Sequence, residues 1–387
     1  MTVIIFIIVL AVLIFVHELG HFAFSKAFGI RVDAFALGFG PKIVSWKKGE
    51  TEYAINWIPF GGYVKIHGEN PDEESTNGPD SARSFVNKTR WKQVIVLGAG
   101  IAFNFIFAWL LYTAVFTSGV TATPDGFEQY AADFTNSRIM ITDVSPGSPA
   151  EKAGLKMGDV VRQVALSSAA TSTATTTFAA GSIASRSNGN SDQLTTDGIQ
   201  AVTNSSQGKP LAFTYSRGST VKTVQLSPVS GLVPGKYAIG IAMDKVADLR
   251  LPFFSAIKEG FNYTIGMIEQ TAIGLYGFVS QIFQGTADFS QVSGPVGIAG
   301  IVGNAAELGF TYLIMITALI SINLGVINLI PFPALDGGRI LFVIIEAIIR
   351  RRIPAKFTNV VNTVGFVALM ILMVVVTYKD IAKLVMK

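Results

Sequence analysis

The chain has 387 residues, of which 50% are hydrophobic and only 14% charged, well below the roughly 25% charged residues usual in soluble domains. The deficit sits in a few long apolar runs, which sets aside an ordinary soluble enzyme in favour of an integral membrane protein. A net charge of +4 with no long basic block argues against nucleic acid as a partner, and the absence of cysteine excludes disulfides, thiol catalysis and cysteine-ligated zinc.

The first element is a helix over 1–28. Fourteen consecutive apolar residues (VIIFIIVLAVLIFV, 3–16) precede "HELGH". Apart from the amino terminus no positive charge precedes the run, and no small-residue cleavage site follows it, so it reads as a retained span rather than a signal peptide. On a helix advancing about 100° per residue, His17, Glu18 and His21 share one face, and imidazoles four apart can bind one zinc ion. Glu18 then stands beside the metal, where it can take the proton of a water attacking a peptide carbonyl. The alternative is two satisfied helix histidines and a solvated glutamate. It is weak in an apolar helix, where a charge costs several kcal/mol unless paired or functional. Fourteen residues cover about 21 Å, which places His17 inside the bilayer, about two thirds of the way across. His67, the third histidine, lies in a polar loop and is read as incidental.

Residues 29–92 come next. "AFALGFGPKIVSWKKGETEYAINWIPFGGYVKI" alternates β-prone residues with glycine-rich turns and predicts hairpins, apolar enough to lie against the membrane with one edge open. A polar linker follows, then a second span over 93–120. Residues 26–92 carry ten Lys or Arg in 67 residues, whereas 119–308 carry twelve in 190. The positive-inside rule therefore puts the first loop in the cytoplasm, and both termini and the long segment outside.

Residues 121–250 carry "ITDVSPGSPAEKAGLKMGDVVRQV" at 141–164 and later two alternating strands, "KPLAFTYSRGSTVKTVQLSP". The order is similar to one PDZ domain, with Gly154, Gly158 and Asp159 at its turns. Between the halves, a Ser/Thr/Ala-rich stretch at about 167–206 reads as a flexible insertion. Residues 251–308 read as an amphipathic segment on the membrane surface, with Phe254, Ile257, Phe261, Ile265 and Ile268 at helical spacing. Packing on the bundle and gating are equally open as its role.

A third span over 309–350 contains "INLIPFPALDGGRI". Pro331 and Pro333 break the helix and Gly337 and Gly338 permit unusual backbone, which membranes tolerate only where it is buried in protein or lines a wet cavity. Catalytic zinc takes three protein ligands, and this break reaches the cytoplasmic side like His17. Asp336 is therefore the expected third ligand, an N-cap aspartate being its other reading. A fourth span over 357–379 completes a polytopic α-helical fold with four transmembrane helices, a membrane-associated β loop and one PDZ unit.

Together, "HELGH" in the first span and "NLIPFPALDGG" in the third resemble the site-2 protease family of intramembrane metalloproteases, most closely its bacterial RseP/RasP-type branch. The resemblance covers nearly the whole chain, including "GFGP", "PFGGYVK", "GAGIAFNF" and "SGPVGIAGI". It implies zinc held by His17, His21 and Asp336, with Glu18 as catalytic base. It also implies substrate positioning by Asn328, Pro331 and Pro333, with Asn104 near the site. The strand at Gly61, Gly62, Tyr63 and Val64 would pair with an unwound substrate. Implied partners are single-span membrane proteins of the anti-sigma-factor or remnant-signal-peptide type, with the PDZ unit contacting substrate or peptide. The implied location is a bacterial inner membrane, with the active site near its cytoplasmic side. One PDZ unit, where the best-known relatives have two, leaves their gating role open here. A transporter would explain the broken helix but not Glu18 beside paired histidines, and a silent scaffold would not need the full catalytic set.

Overall fold

The computed structural model describes residues 1–70, 72–166, 194–287 and 292–385. Two compact units emerge, one made of Met1–Ser118 with Pro252–Lys387 and the other of Gly119–Leu251.

In the first unit, α1 (Thr2–Ala27) leads into β1 (Val32–Lys48) and β2 (Thr51–Ile66), then into a short α2 (Glu73–Asn77) and the long α3 (Arg90–Ser118). The β pair is folded back on itself. Residues 42–48 lie beside 51–56, which also lie beside 34–37, and 34–37 pair in turn with 62–66. The outer side of 62–66 has no strand partner among the described residues. The sheet is pressed onto the helices through Phe35, Val64 and Ile66, which pack with Val96 and Leu97 of α3. Gly61, with φ +109°, supplies the backbone that lets the chain turn into that last segment.

The second unit holds a six-stranded sheet in the order β3-β10-β4-β5-β6-β7. Its strands are β3 (Val120–Ala122), β4 (Phe134–Val144), β5 (Val160–Leu166), β6 (Leu211–Arg217), β7 (Thr220–Leu226) and β10 (Ile241–Leu249). A β8–β9 hairpin (Val229–Val233, Lys236–Ala238) and two helices, α4 (Pro149–Lys152) and α5 (Thr196–Ser205), complete it. Ile141, Ile199, Leu211 and Phe213 form its apolar centre. This corrects the expectation of a flexible insertion as far as 206. Helix α5 belongs to the core, because Ile199 and Val202 fall on one helical face and the Thr195 hydroxyl caps its start by accepting from Gly198 N–H. The rest of that expectation, 167–193, lies outside the described residues.

Back in the first unit follow α6 (Phe253–Gln284), α7 (Pro295–Leu308), α8 (Phe310–Leu329), α9 (Asp336–Ile349) and α10 (Ala355–Val385). The single amphipathic segment expected over 251–308 is thus two helices. Helix α6 ends at Gly285 in left-handed backbone and α7 starts at Pro295, a residue suited to a first helical turn. Rather than standing apart, α6 packs on α3, where Trp109 Nε1–H donates to Ile257 O at 2.9 Å, and on α8, where Thr271 Oγ1 donates to Asn323 at 3.2 Å. Gly309, at φ +122°, separates α7 from α8.

Among the described residues, four helices are long and apolar enough to cross a membrane, Thr2–Ala27, Arg90–Ser118, Phe310–Leu329 and Ala355–Lys383. The chain is a multi-pass membrane protein. The expected third span over 309–350 is broken in two, since residues 330–335 are not helical and α9 begins afresh at Asp336.

Candidate metal centre

Helix α1 carries His17 and His21 one turn apart, and α9 presents Asp336 at its first position. The Nε2 atoms of His17 and His21 lie 3.2 Å from each other. Asp336 Oδ2 is 3.1 Å from the first and 3.3 Å from the second. Side chains from the first helix and from α9, far apart in the chain, thus meet at one point, close enough to hold a metal ion between them.

The hydrogen bonds around the cluster decide which ring nitrogens are free. His21 Nδ1 is 2.9 Å from Val96 O. A carbonyl only accepts, so Nδ1 carries the proton and Nε2 of the neutral ring presents a lone pair. His17 Nδ1 is 3.0 Å from the Asn104 side-chain nitrogen, while Asn104 Oδ1 is buried without a partner. Turning that amide over lets Oδ1 accept from His17 Nδ1–H, satisfies the orphaned oxygen, and leaves His17 Nε2 free. Asp336 Oδ2 is likewise buried and makes no hydrogen bond. Two imidazole lone pairs and a carboxylate oxygen at this separation repel one another unless a cation sits among them. Two nitrogens and one oxygen form a donor set that could hold a metal ion, of the kind zinc takes from proteins. Both imidazoles also have the outer hydrogen-bond partners that orient metal-binding histidines.

Close helix contact makes this arrangement possible. A Cβ on Gly20 would overlap the Ala99 carbonyl, and one on Gly100 would overlap the His21 and His17 rings. Helices α1 and α3 approach through small residues, the usual means of packing in lipid. Ser321 of α8 donates to Asn104 O at 2.8 Å, fixing the turn that carries Asn104. Gly337 and Gly338 act similarly for Asp336. A Cβ on either would run into the backbone of Leu329 and Ile330, or of Phe332 and Pro333, so the double glycine lets α9 begin against the end of α8.

Glu18 stands beside the cluster and takes a backbone hydrogen bond from Val64. A Cβ on Gly62 would lie 2.9 Å from Ile14 Cγ2 and 3.6 Å from Glu18 Cγ. The unpartnered sheet edge therefore passes directly over Glu18. Tyr63 stacks on Phe39 with ring centroids 6.2 Å apart, and Val64 is buried. Asn328, Pro331 and Pro333 lie at and just beyond the end of α8. Among the described residues, no hydrogen bond joins Asn328 to the cluster. His67 is held by its backbone, between Arg31 O and Phe85 N–H, and is not part of the His17, His21 and Asp336 group.

Sequence reasoning passed over Gly20 and Gly100. A signal was present, since Gly100 lies in the small-residue run "GAGIA" one turn before Asn104. Asn362 and Gly365 on α10, which touch the loop before Asp336, carried no comparable signal.

The family model of peptidase family M50 matches residues 5–372. A putative zinc metalloprotease of Clostridium perfringens is 37% identical, over 95% of this chain and 95% of its own length. The zinc metalloprotease RasP of Geobacillus kaustophilus is 30% identical, over 98% of this chain and 97% of its own. A putative zinc metalloprotease of Vibrio cholerae is 27% identical, over 98% of each. The chain belongs to peptidase family M50, the site-2 protease family that its motifs resemble. As a member it is a zinc metalloprotease of the site-2 type.

Proposed function

We propose that this enzyme cleaves single-span membrane proteins within their transmembrane segments, as the membrane-embedded step of regulated intramembrane proteolysis on substrates of the anti-sigma-factor or remnant-signal-peptide type. The observation that carries this reading is the free strand edge at Gly62 lying against Glu18, next to the cluster of His17, His21 and Asp336. A helical substrate shields its own peptide bonds, so it must unwind, and an unwound stretch needs partners for its freed N–H and C=O groups. The edge from Gly61 to Val64 offers them by strand addition.

His17, His21 and Asp336 would hold the zinc ion, which supplies Lewis-acid polarisation of the scissile carbonyl and acidification of water. Glu18 takes the proton from the attacking water and passes it to the leaving amine. The Val64 N–H holds that carboxylate in place. Asn104 fixes the tautomer of His17, and Val96 that of His21. Asn328, Pro331 and Pro333 position the substrate beside the cluster, at the break that presents Asp336.

The excess of Lys and Arg in 26–92 favours a cytoplasmic first loop, extracytoplasmic termini and a reaction near the cytoplasmic face of a bacterial inner membrane. In this reading the unit Gly119–Leu251 is an extracytoplasmic PDZ domain that meets substrate or peptide. Supporting it, Asp159 sits at the predicted turn, buried, and accepts from Arg217 twice at 2.7 Å and from Lys156 N–H at 2.9 Å.

The test is co-expression of a tagged single-span substrate with the wild type or Glu18→Gln. The variant should keep its zinc and lose cleavage by 10³-fold or more, roughly the upper part of what a general base contributes. Equal processing by the two forms would remove the proposal.

A further inference from the structure

Helix α10 is mostly exposed within the unit, so the few places where it touches the loop ahead of Asp336 are informative. Asn362 Oδ1 accepts from Ala334 N–H at 3.2 Å. One turn later Gly365 lies against Pro333. A Cβ there would come within 2.6 Å of Pro333 Cβ and O and 2.9 Å of its carbonyl carbon. Asn362 and Gly365 thus engage the two ends of one peptide unit, the carbonyl of Pro333 and the N–H of Ala334.

That peptide is the centre of a β-turn. Leu335 N–H donates to Phe332 O at 3.2 Å, closing Phe332, Pro333, Ala334 and Leu335 into four residues. Proline is at the second position, and Ala334 at the third has φ +74°. These are the features of a type II turn, whose third position favours glycine because a Cβ is disfavoured at positive φ. Flipping the central peptide gives a type I turn, which alanine adopts without strain. The flip would not be silent. Asp336 follows the turn immediately as the first residue of α9, so the turn type sets where its carboxylate starts.

We propose that Asn362 and Gly365 of α10 latch the Pro333–Ala334 peptide in its type II orientation and so hold Asp336 toward His17 and His21. The inference rests on the metal-centre reading of those three residues. Asn362 takes the N–H that a flip would turn away, and the bare Gly365 gives the Pro333 carbonyl room that a side chain would fill. With alanine rather than glycine at 334, the loop cannot keep this geometry alone. The last helix becomes part of the metal centre without touching the metal, and Asn362 is a positioning residue.

The experiment uses the full chain in nanodiscs and reads zinc affinity by chelator competition, with the visible spectrum of the cobalt-loaded protein alongside. Asn362→Leu removes the acceptor at similar size and should weaken zinc about 10-fold, the lower end of what outer-shell changes cost, and shift the cobalt bands. Asn362→Asp keeps an acceptor oxygen and should hold the wild-type affinity. Ala334→Gly added to Asn362→Leu should restore affinity, because glycine occupies the type II position unaided. Gly365→Ala tests the other end of the peptide and should weaken zinc in the same direction, which serves if Asn362→Leu does not fold. Unchanged affinity in Asn362→Leu or Gly365→Ala overturns the latch, as does a loss that neither Asp at 362 nor Gly at 334 restores. A wild type that binds no zinc overturns the metal centre itself and the latch with it, whereas a failure confined to the variants overturns the latch alone.

Discussion

The surroundings of the His17, His21 and Asp336 cluster and the sheet of the Gly119–Leu251 unit hold together by different means. Around the cluster, helices meet where side chains are missing. Gly20 and Gly100 let α1 and α3 touch, Gly337 and Gly338 seat α9 on α8, and Gly365 seats α10 on Pro333. Polar groups then join the backbones, as in Ser321 to Asn104 O and Trp109 to Ile257 O. In the β unit, bulky apolar side chains fill the centre, with Phe213, Leu211 and Ile141 fully buried. The contrast has a solvent origin. Lipid tails are as apolar as leucine, so helix association in a membrane draws on close packing and hydrogen bonds. A sheet in water draws on removing apolar area from water.

The contrast can be broken most forcefully at Gly100. Gly100→Ala places a methyl group where the His17 and His21 rings lie, so zinc retention should fall by a factor of about 100 or more, above the usual cost of disturbing a metal-binding histidine's support. Purified protein with wild-type metal content would show that the rings can move aside. In the β unit the sensitive change is the opposite one, from large to small. Phe213→Ala should destabilise that unit by about 3–5 kcal/mol, read as an earlier protease-sensitive transition, while zinc content stays at the wild-type level. Loss of zinc in that variant would mean that the two regions are not stabilised separately.

A smaller effect sharpens the picture at the edge of the first unit. Glu50 accepts from Arg83 and from Lys26, and these cations hold its carboxyl down to about 2 from an ordinary 4.5. Because the folded value is the lower one, its contribution is full above about pH 4.5 and is lost as pH falls toward 2. The group is about a third exposed, so the gain is modest. Acid unfolding followed by hydrogen exchange in the β1–β2 turn should lose part of its slope between pH 4.5 and 2 in Glu50→Gln. Superimposable acid limbs would show that the ion pairs are screened away.

Much of the site was legible in the chain. Two histidines one turn apart with an intervening glutamate can face only one way on a helix, so α1 fixes three of the four chemical groups locally. The break before Asp336 was equally plain, because two prolines and two glycines in eight residues leave no regular helix. The helix at 196–205 was obscured by its Ser/Thr-rich neighbours, since its burial depends on Ile199 reaching a core that local composition does not describe. The segment 251–308 misled for a related reason. Apolar spacing marks a helix face but does not say whether lipid, water or α3 and α8 will cover it.

What the sequence determined by itself was the inventory and its local geometry, namely membrane helices, one helix face carrying His17, Glu18 and His21, and a bent connection carrying a carboxylate. Helical periodicity and backbone chemistry act over a few residues and need no partner. Only the tertiary structure decided that the lone pair of His21 faces Asp336 because Val96 O occupies its other nitrogen, that the sheet edge at Gly62 runs over Glu18, and that α10 reaches the peptide before Asp336. Those relations join residues far apart in the chain, and they arise from which backbones can come close once side chains are absent.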